Sequence, residues 1–149
     1  MNGRRCFAAL SIFCLLTAAS AWGQGATTSV YGKWRIDQQE TREATRAKSP
    51  SVDVPVDVDV DITVEFGRNG KLSLTYQQKE EGAEVHQQRG VWEVQSEGRG
   101  RLKVELSIFG EDDAAPEKTL VEIHLVDAQT MQIHLTEEKH VLVMKRLSK

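Results

Sequence analysis

Apolar and polar residues alternate along most of this chain. Within residues 30–37, Val30, Trp34 and Ile36 fall on one side with Gly32 between them. Tyr31, Lys33, Arg35 and Asp37 fall on the other, because side chains in a strand point to opposite faces with period two. The same pattern returns in residues 52–66, with valine or isoleucine at 54, 56, 58, 60, 62 and 64 and aspartate at 53, 57, 59 and 61. A strand is expected there from about Val58 onward, since Pro55 confines any earlier part to an edge.

Arg68-Asn69-Gly70 reads as a hairpin turn with Gly70 in the left-handed position. Leu72, Leu74 and Tyr76 then return on the inner face, which sets Phe66 opposite Leu72 and Ile62 opposite Tyr76. Residues 78–84 are a polar connection. Residues 86–95 form the next strand, with Trp92 and Val94 inward and Gly90 marking a bulge. Residues 96–100 read as a turn, after which Leu102, Val104, Leu106 and Ile108 give the cleanest alternation in the chain. Residues 110–118 are an acidic loop. Three more strands carry Val121/Ile123/Leu125, Met131/Ile133/Leu135, and either Val141/Val143 or Leu142/Met144.

One helix interrupts this pattern. Asp37 followed three residues later by Glu40 is a capping-box spacing, in which two side chains satisfy reciprocal backbone N–H groups. The helix should run over residues 40–48 and stop at Ser49-Pro50. Its apolar residues are only Ala44 and Ala47, so it suits a surface or the plugging of an opening.

The count is eight strands. All connections but the one through the helix are too short for a parallel crossover. The expected fold is all-β: an antiparallel eight-stranded up-and-down barrel, which closes its own edges, with one short helix after the first strand. A two-sheet sandwich is the alternative. An outer-membrane barrel would need aromatic girdles and longer strands.

The first 21 residues read as a secretory signal. Arg4 and Arg5 precede an apolar run from Phe7 to Ala19, and Ala19-Ser20-Ala21 is a small-x-small cleavage site. Domain organisation is then a signal over residues 1–21 and one barrel over 22–149, exported to the periplasm or the extracellular space. Cys6 and Cys14 leave with the signal, so no disulfide is available. Loss of two arginines and no acids moves the formal charge from −3 to −5, which excludes the basic face that a nucleic-acid partner requires.

Gly32-Lys33-Trp34 resembles the Gly-x-Trp signature of lipocalins and of smaller lipocalin-like (calycin-type) exported bacterial domains. Lys145-Arg146, closing the last strand, is similar to the basic residue that packs across that tryptophan in the family. Gly32, Trp34 and Arg146 are the structural residues the resemblance implies. It also implies a small apolar ligand inside the barrel, with Trp34, Phe66, Tyr76 and Trp92 as its lining. A barrel of eight strands is wide enough for its own side chains or for one small ligand, so the same aromatics also suit a filled core. A filled barrel would instead suit an envelope interaction or inhibitor module acting through loops 78–84 and 110–118.

Catalytic motifs are missing from the sequence: it has no Gly-x-Ser-x-Gly, His-Glu-x-x-His or phosphate loop. The expectation is a protein that is not an enzyme, needs no cofactor and has no membrane span. The aspartates of residues 53–61 lie along a strand and cannot wrap calcium. If Leu125 opposes Ile133, residues 128–130 form the loop and His124 faces His134 across the strands, with His140 nearby. Two imidazoles alone fall short of the three or four ligands zinc takes, so the expectation is a solvated pair and no metal.

Overall fold

The computed structural model describes residues 26–51, 60–110, 115–137 and 139–148. The expected signal over residues 1–21, the first part of the 52–66 run with Pro55, and the middle of the 110–118 loop lie outside these residues. Eight strands close into one antiparallel barrel in sequence order: β1 (Gly32–Ile36), β2 (Val60–Phe66), β3 (Lys71–Gln78), β4 (Val85–Gly98), β5 (Arg101–Phe109), β6 (Glu117–Leu125), β7 (Thr130–Leu135) and β8 (Val141–Arg146). A five-residue helix, α1 (Ala26–Val30), precedes β1, and α2 (Gln38–Lys48) follows it.

The hairpin arithmetic holds. Phe66 pairs with Leu72 and Ile62 with Tyr76, and Gly70 adopts φ +75°. On β8 the register pairs Met144 with Ile36 and Met131, and Leu142 with Ile133. Leu142 and Met144 therefore face inward, while Val141 and Val143 face outward, each only 2% exposed.

Several expectations need correction. Val30 ends α1 instead of starting β1, because its carbonyl accepts the Trp34 indole N–H at 2.8 Å and Gly32, at φ +120°, breaks the extended path between them. Gly90 pairs regularly with Leu72 and Ile108, and the bulge falls between Val94 and Ser96. A Cβ at Gly90 would lie 2.4 Å from the Ser107 carbonyl oxygen, so glycine serves the close approach of β5. β4 runs on to Gly98, which pairs with Arg101, so the turn is confined to Arg99 and Gly100. That extension carries Glu97 to α1, where it accepts from the Thr27 amide at 3.2 Å and the Thr27 hydroxyl at 3.0 Å.

The cap of α2 forms by half. The Asp37 carboxylate accepts from the Glu40 amide at 2.9 Å. Glu40 turns instead to Lys145 at 2.8 Å, and the Asp37 amide donates to the Val143 carbonyl at 2.8 Å.

That last bond shows what α2 does. β1 ends at Ile36, opposite Met144, so β8 continues beyond its partner with bare backbone at Val143 and Val141. Two threonines one helical turn apart fill the gap. The Val143 amide donates to the Thr41 hydroxyl at 2.8 Å. The Thr45 hydroxyl accepts from the Val141 amide at 3.1 Å and donates to the Val141 carbonyl at 3.2 Å. A hydroxyl can do both at once. Thr45 is fully buried, whereas Ala47 is exposed. The helix docks by hydroxyls, as a replacement strand.

Candidate functional site

Strand direction alternates, so the barrel has two unlike ends. α1, the 67–70 turn and the 126–129 turn lie at one; α2 and the connections 79–84 and 136–140 lie at the other. At the α1 end Trp34 is completely buried, and the Arg146 guanidinium carbon lies 4.1 Å from its ring centroid. Arg146 also donates to the Tyr31 carbonyl at 2.8 Å, to the Ala128 carbonyl at 2.9 Å and to the Ser29 carbonyl. Desolvation there pulls the guanidinium below its ordinary pKa. One cation thus ties α1, the entry to β1 and the 126–129 turn to β8.

Next to it, Phe66 meets Trp92 edge-on with centroids 5.3 Å apart, and Tyr31 meets Trp92 at 5.7 Å. The Trp92 indole donates to the Gly67 carbonyl at 3.1 Å. Trp34, Phe66 and Trp92, at 0%, 1% and 6% exposure, are the floor of the barrel. Tyr76 is not among them. It stands on the opposite half of β3, partly exposed, with its ring stacked 5.7 Å from that of His86.

Inner-face exposure changes along the strands in one direction. On β5, Leu102 and Val104 are buried while Leu106 and Ile108 are partly exposed. On β2, Phe66 and Val64 are buried while Ile62 and Val60 are partly exposed. β3 repeats the change from Leu72 to Leu74 and Tyr76, and β7 from Met131 and Ile133 to Leu135. Val94 and Leu125, at the α1 rim, are the partly exposed exceptions. Inner residues are buried toward the α1 end and partly exposed toward the α2 end, where Leu74, Leu106 and Ile108 share the inner face with Tyr76, His86, Gln88, Glu117 and Thr119.

The sequence pattern identified these mouth residues as inward but did not single them out. The signal was available, since in an up-and-down barrel strand ends alternate between the two rims. Leu74, Leu106 and Leu135 could have been assigned to one rim on that ground.

On the outer wall, the β6–β7 register differs from the sequence expectation by two residues. Ile123 opposes Ile133, Leu125 opposes Met131, and His134 therefore faces Glu122 instead of His124. The loop is residues 126–129, fixed by the Asp127 carboxylate accepting from the Gln129 amide at 2.7 Å. The two imidazoles still meet diagonally, with centroids 4.1 Å apart and planes tilted by 32°. Glu122 lies 3.1 Å from His124 Nε2, and Lys48 Nζ lies 3.4 Å from His134 Nδ1. An open cleft of about 430 Å³ adjoins the pair, lined by Lys48, Glu122, His134, Thr136, Glu137 and Lys139 with Leu135. It is outside the barrel. Among the described residues no three histidine, cysteine or acidic side chains are grouped to hold a metal ion, and no helix is long and apolar enough to cross a membrane.

The architecture defines a closed eight-stranded antiparallel barrel, compatible with a calycin-like fold. Comparison with family models, with curated proteins and with solved structures finds no match to this chain.

Proposed function

We propose that this chain is an exported, non-enzymatic, lipocalin-like barrel that holds one small apolar molecule in its α2-facing half. The observation that carries this reading is the one-way change in inner-face exposure. Aliphatic inner-face side chains such as Leu74 and Leu106 are partly exposed in the α2-facing half, whereas Trp34 and Phe66 beneath them are buried, which supports an apolar site at that end. Apolar surface held in a concave site is favourable to cover, at about 25 cal/mol per Å². Tyr76 stands within this half, and Trp34, Phe66 and Trp92 form the floor beneath it.

The lipocalin-like part rests on Gly32-Lys33-Trp34 with Arg146 stacked across Trp34 and α1 set against the same end. Export rests on the character of residues 1–21. Native mass spectrometry of the protein recovered from its producing cell tests the binding reading. A stoichiometric co-purifying apolar molecule supports it, and a bare mass from every preparation counts against it.

A second reading has one observation in its favour. Val85 and Phe109, which flank loops 78–84 and 110–118, are 57% and 45% exposed. Exposed apolar residues beside two loops at one rim suit an interaction surface for a partner protein.

A further inference from the structure

The outer wall carries a cluster that ligand binding does not use. α2 is attached to the barrel along its length: the Asp37 amide on Val143, Gln38 on the Val60 carbonyl, Glu40 on Lys145, the two threonines on Val143 and Val141, and Lys48 on His134. Apart from the Glu40–Lys145 ion pair in the first turn, the attachments before Lys48 are uncharged on the barrel side. The last is an ammonium pointing at an imidazole nitrogen, and it works only while that nitrogen keeps its lone pair.

We propose that Lys48, His134 and His124 form a pH-sensitive latch that holds the C-terminal turn of α2 on the barrel at neutral pH and releases it in acid. At neutral pH Lys48 Nζ donates to His134 Nδ1, which leaves the His134 proton on Nε2. Protonation adds a hydrogen to Nδ1, so a donor faces a donor and a cation faces a cation.

The surroundings sharpen this change. From β6, His124 lies against His134 with centroids 4.1 Å apart, and a second imidazolium there repels the first. Glu122 is the opposing charge. It faces His134 in register but is already 3.1 Å from His124 Nε2, so one carboxylate serves two rings. Arg101 on β5 pairs with His124 in register and adds positive charge. Glu137 and Lys139 line the neighbouring cleft with opposite signs, and His140 precedes Val141 at the head of β8. Burial, His124 and Lys48, in that order, hold His134 below the ordinary histidine pKa, with Glu122 opposing them. The neutral ring therefore belongs to the latched state.

The latch also predicts an order of opening. Thr45 is three residues from Lys48, and Thr41 is seven. Release should first free the Val141 amide from the Thr45 hydroxyl, and only then the Val143 amide from Thr41.

Amide hydrogen exchange of the full chain tests this at about pH 7.5 and about pH 5, on either side of the ordinary imidazole range. Each rate is corrected for intrinsic chemical exchange. In acid, protection at Val141 should fall roughly tenfold per unit of pKa depression, more than at Val143, with Val104 and Ile123 unchanged. His134→Gln should abolish the fall, and Lys48→Gln, on an exposed side chain, should reduce it. The latch is wrong if Val141 keeps its protection, if all amides lose it together, or if His134→Gln responds like the parent.

Discussion

Arg146 lies across the face of Trp34 with its guanidinium carbon 4.1 Å from the ring centroid, and its remaining donors reach the carbonyls of Ser29, Tyr31 and Ala128. The pair works as a clamp because both halves are needed. The flat guanidinium stacks on the indole while its edges bond, which an ammonium cannot do. Replacing Arg146 with lysine should therefore destabilise the barrel by roughly 2–4 kcal/mol, the range for lost charged hydrogen bonds and a desolvated cation–π contact. Urea unfolding gives the number, and a loss below about 0.5 kcal/mol, within the range of an ordinary surface substitution, would mean the clamp is ornamental.

Thr45→Val keeps the volume of the side chain and removes its hydroxyl. The Val141 amide and carbonyl then lose their partner beneath the helix. The expected cost is roughly 1–3 kcal/mol, that of leaving buried backbone groups unsatisfied. Thr45→Ser retains the hydroxyl and should cost less. A larger loss in Thr45→Ser than in Thr45→Val would assign the role to the methyl group.

Those threonines also mark where sequence reading stops. Alternation and the Asn69-Gly70 turn were enough for the strand count and for the β2–β3 register, because a side-chain period of two leaves little choice once one face is apolar. Helix α2 looked unable to anchor itself, since only Ala44 and Ala47 are apolar. Its anchors are polar groups meeting backbone left bare where β1 stops, and where β1 stops is a matter of barrel geometry. The histidine register failed for a related reason. Asp127 caps Gln129 and draws the loop to residues 126–129, a local bond that apolar spacing does not encode. The four aromatics Trp34, Phe66, Tyr76 and Trp92 share one face in the pattern, but alternation carries no depth, and Tyr76 lies at the opposite end from the other three.

Acid should weaken the fold in a defined window. The folded state holds His134 below its ordinary pKa, so as pH falls through about 6.5 the unfolded chain takes up the proton first. Stability declines from there, and the deficit is complete once pH passes the folded value. Glu122 adds a second decline at lower pH: its carboxyl is depressed chiefly by the hydrogen bond with His124, so its contribution is lost as pH falls below about 4.5. Urea midpoints at pH 7.5 and 5.5 isolate the first window. The parent should lose stability between them and His134→Gln should lose less; the reverse ranking would place the sensitive group elsewhere.

The reading that the α2-facing half of the barrel holds an apolar molecule is tested most directly by filling that half. Leu74→Trp with Leu106→Trp adds two large rings to inner positions that are partly exposed, leaving the buried floor untouched. Both proteins are titrated with a neutral apolar dye that fluoresces on transfer from water. The parent should bind one equivalent saturably, with a dissociation constant on the order of micromolar, about −8 kcal/mol, and the filled variant should fold and bind none. Saturable binding that survives in the filled variant, or none in the parent, would contradict the account.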